Sequence, residues 1–210
     1  MNAAHIRREK AFSSAKGYLA AGAGIALLLI SFYLFNSGTG QTSGLLHFAG
    51  GVLAGLAGAI CLGGLFMLQP NESAILTLFG KYIGTDRNEG LRWAFPLYVK
   101  RRLSLRVRNF NAPTLKVNDK RGNPVEISAA VVWRVRDTAQ AVFEVDDFER
   151  YVSIQAEAAL RHLASQYAYD EGEDLTQGET TLRAGMDVVA ESLKSELQAR
   201  FEAAGVEVLD

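Results

Sequence analysis

Apolar and polar positions divide the chain at about residue 69. Residues 17–68 contain no Asp, Glu, Lys or Arg, whereas residues 69–210 mix charged, apolar and turn-forming side chains as water-soluble domains do. Within the uncharged part, residues 17–35 and 45–68 are apolar runs, long enough as helices to cross a hydrocarbon core of about 30 Å. We predict that they form a hairpin of two transmembrane helices.

Polar residues mark the limits of this hairpin. The predicted external loop, residues 36–44, is uncharged, and the predicted leader, residues 1–16, is basic. Cations also follow the second run, so the positive-inside rule places the leader and the C-terminal domain in the cytoplasm. A secretory signal peptide is the alternative for the first run, although the apolar region of such a peptide is usually only about 7–15 residues long.

Small residues recur in the second apolar run. Gly51 and Gly55 form a GxxxG pattern and Gly58 extends it, which allows another helix to approach closely in lipid. The packing partner is either the first predicted helix or a neighbouring subunit. Cys61, the only cysteine, lies in the same run, where packing is favoured over palmitoylation because palmitoylation favours the membrane edge.

Alternation of apolar and polar residues predicts short strands in the first half of the C-terminal domain. The turn-forming segments 84–90 and 118–122 separate these strands and favour an antiparallel arrangement. The predicted strands are residues 74–80, 91–95, 103–108 and 125–135.

Helical spacing replaces this alternation in the last part of the chain. Apolar residues at steps of three or four predict a helix over 148–163, with the acidic residues 146–147 placed to cap it. A second stripe predicts a helix over 182–201 that stops at Gly205, before a final strand at 206–209. Strands first and helices second indicate an α+β class, with an antiparallel sheet packed by helices.

Charge is distributed unevenly along the chain. Residues 1–136 hold 17 Lys or Arg against 6 Asp or Glu, whereas residues 137–210 hold 5 against 17. The basic part follows the predicted hairpin, where anionic lipid headgroups attract cations. Headgroup contact is predicted for the densest cluster, Lys100, Arg101, Arg102, Arg106 and Arg108. A solvated mixed surface is the alternative, and nucleic-acid binding is disfavoured because the acidic part would repel phosphate.

Aromatic residues lie next to this cluster in the sequence. Trp93, Phe95 and Tyr98 have the amphipathic character that favours the interfacial zone of a membrane. Core packing explains the same residues equally well, so both interpretations stay open.

Five segments of residues 69–210 together resemble a known family. They are QPNESA at 69–74, FGKYIGT at 79–85, GLRWAFP at 90–96, VVWRVRD at 131–137 and AGVEV at 204–208. In their order and spacing they resemble the SPFH, or band 7, domain of stomatins, prohibitins and flotillins, over essentially all of residues 69–210. Within this family the chain most resembles bacterial band 7 proteins described as membrane protease subunits.

The resemblance implies a membrane-associated, homo-oligomeric scaffold. Such scaffolds assemble into large rings or cages, organise membrane microdomains and regulate membrane-bound partners such as AAA proteases. With the two predicted membrane helices, the likeness to bacterial proteins indicates a multi-pass protein of a bacterial inner membrane. Family members normally continue into a long coiled-coil helix, which we expect this chain to lack because it stops at Asp210.

Motifs for catalysis or metal binding are missing from the sequence. The chain has no G-x-S-x-G, H-E-x-x-H or P-loop pattern, and its three histidines offer no metal-ligand spacing. We therefore predict no cofactor, no metal and no enzymatic activity. The alternative function is a membrane-tethered hydrolase or protease subunit with an unrecognised Ser/Lys site.

Overall fold

The structure is a computed structural model that describes residues 8–37, 44–170, 181–183 and 185–210. It divides into two compact units. Lys10–Ser104 form one of them, here called the hairpin unit. Leu105–Asp210, together with Arg8 and Glu9, form the C-terminal unit.

Outside residues 38–43, which the structure does not describe, the hairpin unit consists of two apolar helices and six strands. In chain order they are β1 (Ala15–Lys16), α1 (Gly17–Ser37), α2 (Gly44–Gly63), β2 (Leu65–Leu68), β3 (Glu72–Leu78), β4 (Lys81–Asp86), β5 (Gly90–Trp93) and β6 (Val99–Ser104). The strands form two antiparallel sheets, with the orders β1–β5–β2 and β4–β3–β6.

The second apolar helix is shorter than the sequence predicts. Instead of continuing to residue 68, α2 ends at Gly63, and Leu65–Leu68 form β2. Adjacent glycines at 63 and 64 disfavour helix continuation because glycine loses more backbone freedom in a helix than other residues. As a strand, the same segment pairs with β5 and buries Leu68 in the core of the unit.

Three helices and five strands lie in the described residues of the C-terminal unit. They are β7 (Arg108–Asn111), β8 (Leu115–Asn118), β9 (Pro124–Ile127), β10 (Ala130–Val135), α3 (Thr138–Phe143), α4 (Phe148–Gln166), α5 (Met186–Phe201) and β11 (Val206–Val208), with a 3₁₀ turn at Glu202–Ala204 before β11. The sheet β11–β10–β7 and the hairpin β8–β9 are both antiparallel.

The predicted α+β class is confirmed, but two of the predicted strands are each divided. Residues 103–108 do not form one strand, because β6 ends at Ser104, whose partner Glu72 is the first residue of β3. Residues 125–135 are divided because β9 pairs with β8 while β10 pairs with β7 and β11. A strand ends where its hydrogen-bonding partner ends, which alternation alone does not reveal.

Helices α4 and α5 pack together and cover the strands of their unit. Asp147 caps α4 as predicted, accepting hydrogen bonds from two backbone N–H groups of the first turn. Glu196 on α5 accepts from His162 of α4 at 2.9 Å and pairs with Arg200 at 2.6 Å. Burial raises the pKa of Glu196, but these hydrogen bonds and charges outweigh it and hold the pKa below its ordinary value.

Candidate membrane interface

The small-residue face of α2 lies against α1. A Cβ atom added to Gly51 would lie 3.1 Å from the ring of Phe35, and one added to Gly58 would lie 3.1 Å from the backbone oxygen of Gly24. At Gly55 the added atom would lie 3.0 Å from the hydroxyl of Ser31. The three predicted packing glycines therefore face the first helix within the same chain.

A hydrogen bond of Ser31 crosses this helix pair. The hydroxyl of Ser31 donates to the backbone oxygen of Gly51 at 2.7 Å. Gly55 leaves the space that the hydroxyl needs, since a side chain there would meet Ser31. A hydrogen bond between apolar helices is worth about 0.6 kcal/mol on average in membrane proteins, so close packing carries most of the contact.

The outer faces of the two helices carry large apolar side chains that are not covered by any part of the chain the structure describes. Leu19 is 75 % exposed, Phe32 72 % and Leu45 82 %. Both helices are long and apolar enough to cross a membrane, by length and composition. In water, leaving a side chain of this size fully exposed instead of buried costs about 1.5–3 kcal/mol of free energy.

Strand β5 holds both open ends of the helix hairpin. Ala15 and Lys16, just before α1, pair with Trp93 and Arg92, while β2, just after α2, pairs along the opposite edge of β5. The indole of Trp93 donates to the backbone oxygen of Cys61 in the last turn of α2 at 2.8 Å. The start of α1 and the end of α2 therefore lie on the same side of the hairpin unit.

Two glycines allow this close approach. A Cβ atom at Gly17, the first residue of α1, would lie 2.7 Å from the backbone of Leu91, and one at Gly64 would lie 2.5 Å from the backbone oxygen of Ala94. Backbone atoms at that distance cannot move away without shifting β5. The sequence indicated neither role, because Gly17 looks like an ordinary first residue of an apolar run and Gly64 lies inside the run predicted to form the second helix.

A buried carboxylate holds the leader next to this base. Asp86 is fully buried and accepts hydrogen bonds from the backbone N–H and the hydroxyl of Ser14, and from the backbone and side chain of Asn88. The guanidinium of Arg92 lies 3.6 Å from the carboxylate and donates to the hydroxyl of Ser14 at 2.9 Å. Burial raises the pKa of Asp86, but the hydrogen bonds from Ser14 and Asn88 outweigh it, so the pKa lies below its ordinary value.

The predicted headgroup residues lie in two different environments. Lys100, Arg101 and Arg102 belong to β6 of the hairpin unit, whereas Arg106 and Arg108 belong to the C-terminal unit. Arg101 and Arg102 are exposed. The sequence cluster is therefore not one cluster within a single unit.

Lys100 and Arg108 make contacts within their own units. Lys100 turns back toward the hairpin, donating to the oxygen of Gly64 at 3.3 Å and lying 5.2 Å from the centre of the Phe66 ring, and burial lowers its pKa. Arg108 pairs with Glu149 and stacks on Trp133. These contacts stabilise the fold and leave Arg101 and Arg102 as the more accessible cations of β6.

The segment between β5 and β6 carries exposed apolar residues beside the end of α2. Phe95, Leu97 and Val99 are exposed, and Pro96 would lie 4.0 Å from a Cβ atom at Gly63. Tyr98 is instead partly buried against the core, with its ring edge-on to Phe12. Of the three aromatic residues considered from sequence, Trp93 and Tyr98 pack inward and Phe95 faces outward.

The turn between β3 and β4 presents a further aromatic side chain at the same end of its sheet. Phe79 is 88 % exposed and has a positive φ of 48°, which is unusual for a bulky residue. The register of β3 with β6 places Thr77 opposite Val99, so Phe79 lies near the apolar segment.

The geometry above agrees with a family comparison. The model of the SPFH domain / Band 7 family matches residues 66–210, which is more than half of the chain. The chain belongs to this family. The SPFH family is generally one of membrane-associated scaffolds without catalytic activity, and its members generally oligomerise.

One curated relative is similar to part of this SPFH protein. It is an uncharacterized protein of Archaeoglobus fulgidus, 28 % identical over 106 residues. The matched region covers 50 % of this chain and 42 % of the relative, so the chain spans less than half the length of the curated relative it matches.

Proposed function

We propose that this SPFH protein is a membrane-anchored, homo-oligomeric scaffold that organises membrane microdomains and regulates membrane proteins, including proteases. The observation that carries the proposal is the exposed apolar surface of α1 and α2 in a chain of the SPFH family. The proposed function includes no catalytic step.

The hairpin is proposed to span the bilayer. Many of its large apolar side chains are exposed, whereas in the helix contact the glycines of α2 lie against Ser31, Leu28 and Phe35 of α1. Lipid tails cover such side chains without a free-energy cost, whereas water does not. The helices of 21 and 20 residues are also about the length that a hydrocarbon core of roughly 30 Å needs.

A cytoplasmic location is proposed for the leader and the domain. Both open ends of the hairpin pair with β5, which supports their lying on one side of the membrane. Arg8, Lys10 and Lys16 precede α1 and many cations follow α2, which favours the cytoplasmic side. We propose that the hairpin spans a bacterial inner membrane.

An interfacial collar is proposed around the base of the hairpin, made of Phe79, Phe95, Leu97 and Val99, with Arg101 and Arg102 as its cations. These apolar residues lie at the sheet ends nearest the end of α2 and are exposed in the chain. In this proposal the apolar side chains lie in the headgroup zone and the arginines contact anionic headgroups.

Extraction tests the anchoring step. Membranes containing the full chain are treated with alkaline carbonate or with mild detergent and centrifuged. We expect the protein to stay in the pellet after carbonate and to move into solution only with detergent. Recovery in the supernatant without detergent would overturn the anchored scaffold.

Cysteine labelling tests the topology. In a Cys61→Ser background, single cysteines replace Thr39 between the helices and the exposed Glu89 in the domain. A reagent that does not cross membranes should label position 39 from outside and position 89 only after the membrane is opened. The reverse pattern would contradict the cytoplasmic assignment.

Sizing and imaging test the assembly step. The detergent-solubilised chain should elute as a large particle and appear as a closed ring or cage by electron microscopy. Affinity purification from membranes followed by mass spectrometry then identifies membrane-protein partners. A strictly monomeric particle in every mild detergent would contradict the scaffold while leaving the membrane anchor intact.

A further inference from the structure

Residues 10–16 of the leader are part of the hairpin unit and pair with its strands. Ala11 forms a parallel bridge with Thr85, so that Phe12 donates its N–H to the oxygen of Thr85 at 2.9 Å and Thr85 donates to the oxygen of Lys10 at 2.8 Å. Four residues later, β1 adds an edge strand to β5. The leader therefore pairs with β4 and with β5 in succession.

Side chains reinforce this pairing. Phe12 packs into the cluster formed by Phe66, Leu68, Ala74, Leu76 and Ala94. Ser14 donates to the buried carboxylate of Asp86 with both its N–H and its hydroxyl. One aromatic contact and one buried hydrogen-bonded site thus hold the middle of the leader.

The sheet is shaped to receive the leader at Gly84. A Cβ atom there would lie 2.8 Å from the Cβ atom of Phe12 and 2.9 Å from the backbone oxygen of Lys10. The backbone of Gly84 has no positive φ, so alanine is compatible with β4 itself. The glycine is needed for the approach of the leader rather than for the strand.

We propose that residues 10–16 are a releasable strap. Docked, the strap fixes the start of α1 to β5 and holds the N-terminus on the side of the domain. Released, it leaves the hairpin joined to the sheets through α2 alone and leaves the edges of β4 and β5 without the leader.

Release does not require the unit to unfold. When Ser14 leaves, Asp86 still accepts two hydrogen bonds from Asn88 and keeps Arg92 nearby. The strap also pairs over only a few residues at sheet edges, and such short peripheral segments open at lower free energy than a core does. The strap does not depend on whether the helices span a membrane.

Trypsin cleavage after Lys10 measures docking directly, because the carbonyl of the scissile bond is the acceptor for Thr85. The full chain is digested in detergent micelles, and the released peptides are quantified by mass spectrometry. Cleavage after Arg121, in an exposed turn of the C-terminal unit, serves as the reference for general protease access.

Two variants release the strap from opposite sides. Ser14→Ala removes the hydroxyl bonded to Asp86, and Gly84→Ala blocks the approach of Phe12 and Lys10. We expect each to raise cleavage after Lys10 by about tenfold, with the Arg121 rate unchanged. Ser13→Ala, next to Ser14 but exposed, and Gly22→Ala, where nothing lies within 4 Å of the added atom, are the matched controls and should leave the rate as in the wild type.

The outcome separates this proposal from membrane anchoring. Unchanged cleavage after Lys10 in both Ser14→Ala and Gly84→Ala would overturn the strap, whereas carbonate extraction of the same proteins reports on the anchor alone. If Gly84→Ala also raised cleavage after Arg121, that variant would be partly unfolded. The cleavage after Lys10 in Ser14→Ala would then decide whether the strap is released.

Discussion

At the scale of single residues, Asp86 illustrates how a buried charge is retained. Four hydrogen bonds from Ser14 and Asn88 and the nearby Arg92 compensate for the loss of water around its carboxylate. All of these donors point at the oxygens, so the site is specific for an ionised acid.

Gly205 has two roles in the C-terminal unit. It ends the helical segment with a φ of 63°, as predicted, and its backbone oxygen accepts hydrogen bonds from the backbone N–H groups of Arg136 and Asp137.

Replacing Asp86 with asparagine should destabilise the hairpin unit. The amide of the new side chain would direct its own N–H groups at donors, so we expect a loss of about 3 kcal/mol in the free energy of unfolding. Thermal unfolding in detergent micelles measures the change. Glu89→Gln is the matched control, because Glu89 is exposed and three residues away, and it should change stability by less than about 0.5 kcal/mol.

The lowered pKa of Asp86 predicts a dependence of stability on acid pH. A group whose pKa is lower in the folded state stabilises the protein above its ordinary value of 3.8, and this contribution is lost as pH falls through the folded pKa. The wild type should therefore lose stability below about pH 3.8 more steeply than Asp86→Asn. Parallel curves for the two proteins would show that Asp86 does not titrate as described.

At the scale of elements, the helix hairpin is held by shape rather than by polar bonds. Gly51, Gly55 and Gly58 bring the α2 backbone close to α1, and Ser31 adds one hydrogen bond. At the other end of the hairpin, Gly17 and Gly64 bring the helix ends against β5. These close approaches are possible because glycine has no Cβ atom.

Gly58→Ala should weaken the contact between α1 and α2. The added methyl group would lie 3.0 Å from Leu28 and 3.1 Å from the backbone of Gly24, which we expect to cost about 1–2 kcal/mol. Unfolding by SDS, followed through the fluorescence of Trp93 in a Trp133→Phe background, measures the loss. Gly50→Ala is the control on the same helix, where the nearest atom would be 3.4 Å away, and an equal loss there would contradict packing through Gly58.

At the scale of the whole molecule, charge follows the order of the chain. The basic residues concentrate near the helices and the acidic residues concentrate toward the C-terminus. Such a distribution is the one expected if the basic part of the chain contacts anionic headgroups, as we propose.

Anionic lipid should stabilise this protein through Arg101 and Arg102. In nanodiscs, the gain in unfolding free energy on adding anionic lipid should fall by about 1 kcal/mol for each arginine replaced by glutamine. The control pair, Lys116→Gln and Arg121→Gln, changes two exposed cations of the C-terminal unit by the same total charge. An equal effect of the control pair would assign the stabilisation to net charge instead of to β6.

The sequence by itself determined the class of the protein. An uncharged stretch at 17–68, alternation before helical spacing, a cap at Asp147 and a stop at Gly205 are local patterns, because they depend on neighbours within a few residues. The family resemblance likewise depends on the order of short segments, and the family match confirmed it.

Only the tertiary structure decided where strands end and what the buried polar groups do. Strand limits at Ser104 and at residues 128–129 follow from partners distant in sequence, and so does the conversion of Leu65–Leu68 from predicted helix to strand. The leader was predicted as a basic tail, yet it pairs with strands about 75 residues away. Periodicity reports which face of an element is apolar, whereas pairing and close approach depend on which other element comes to lie beside it.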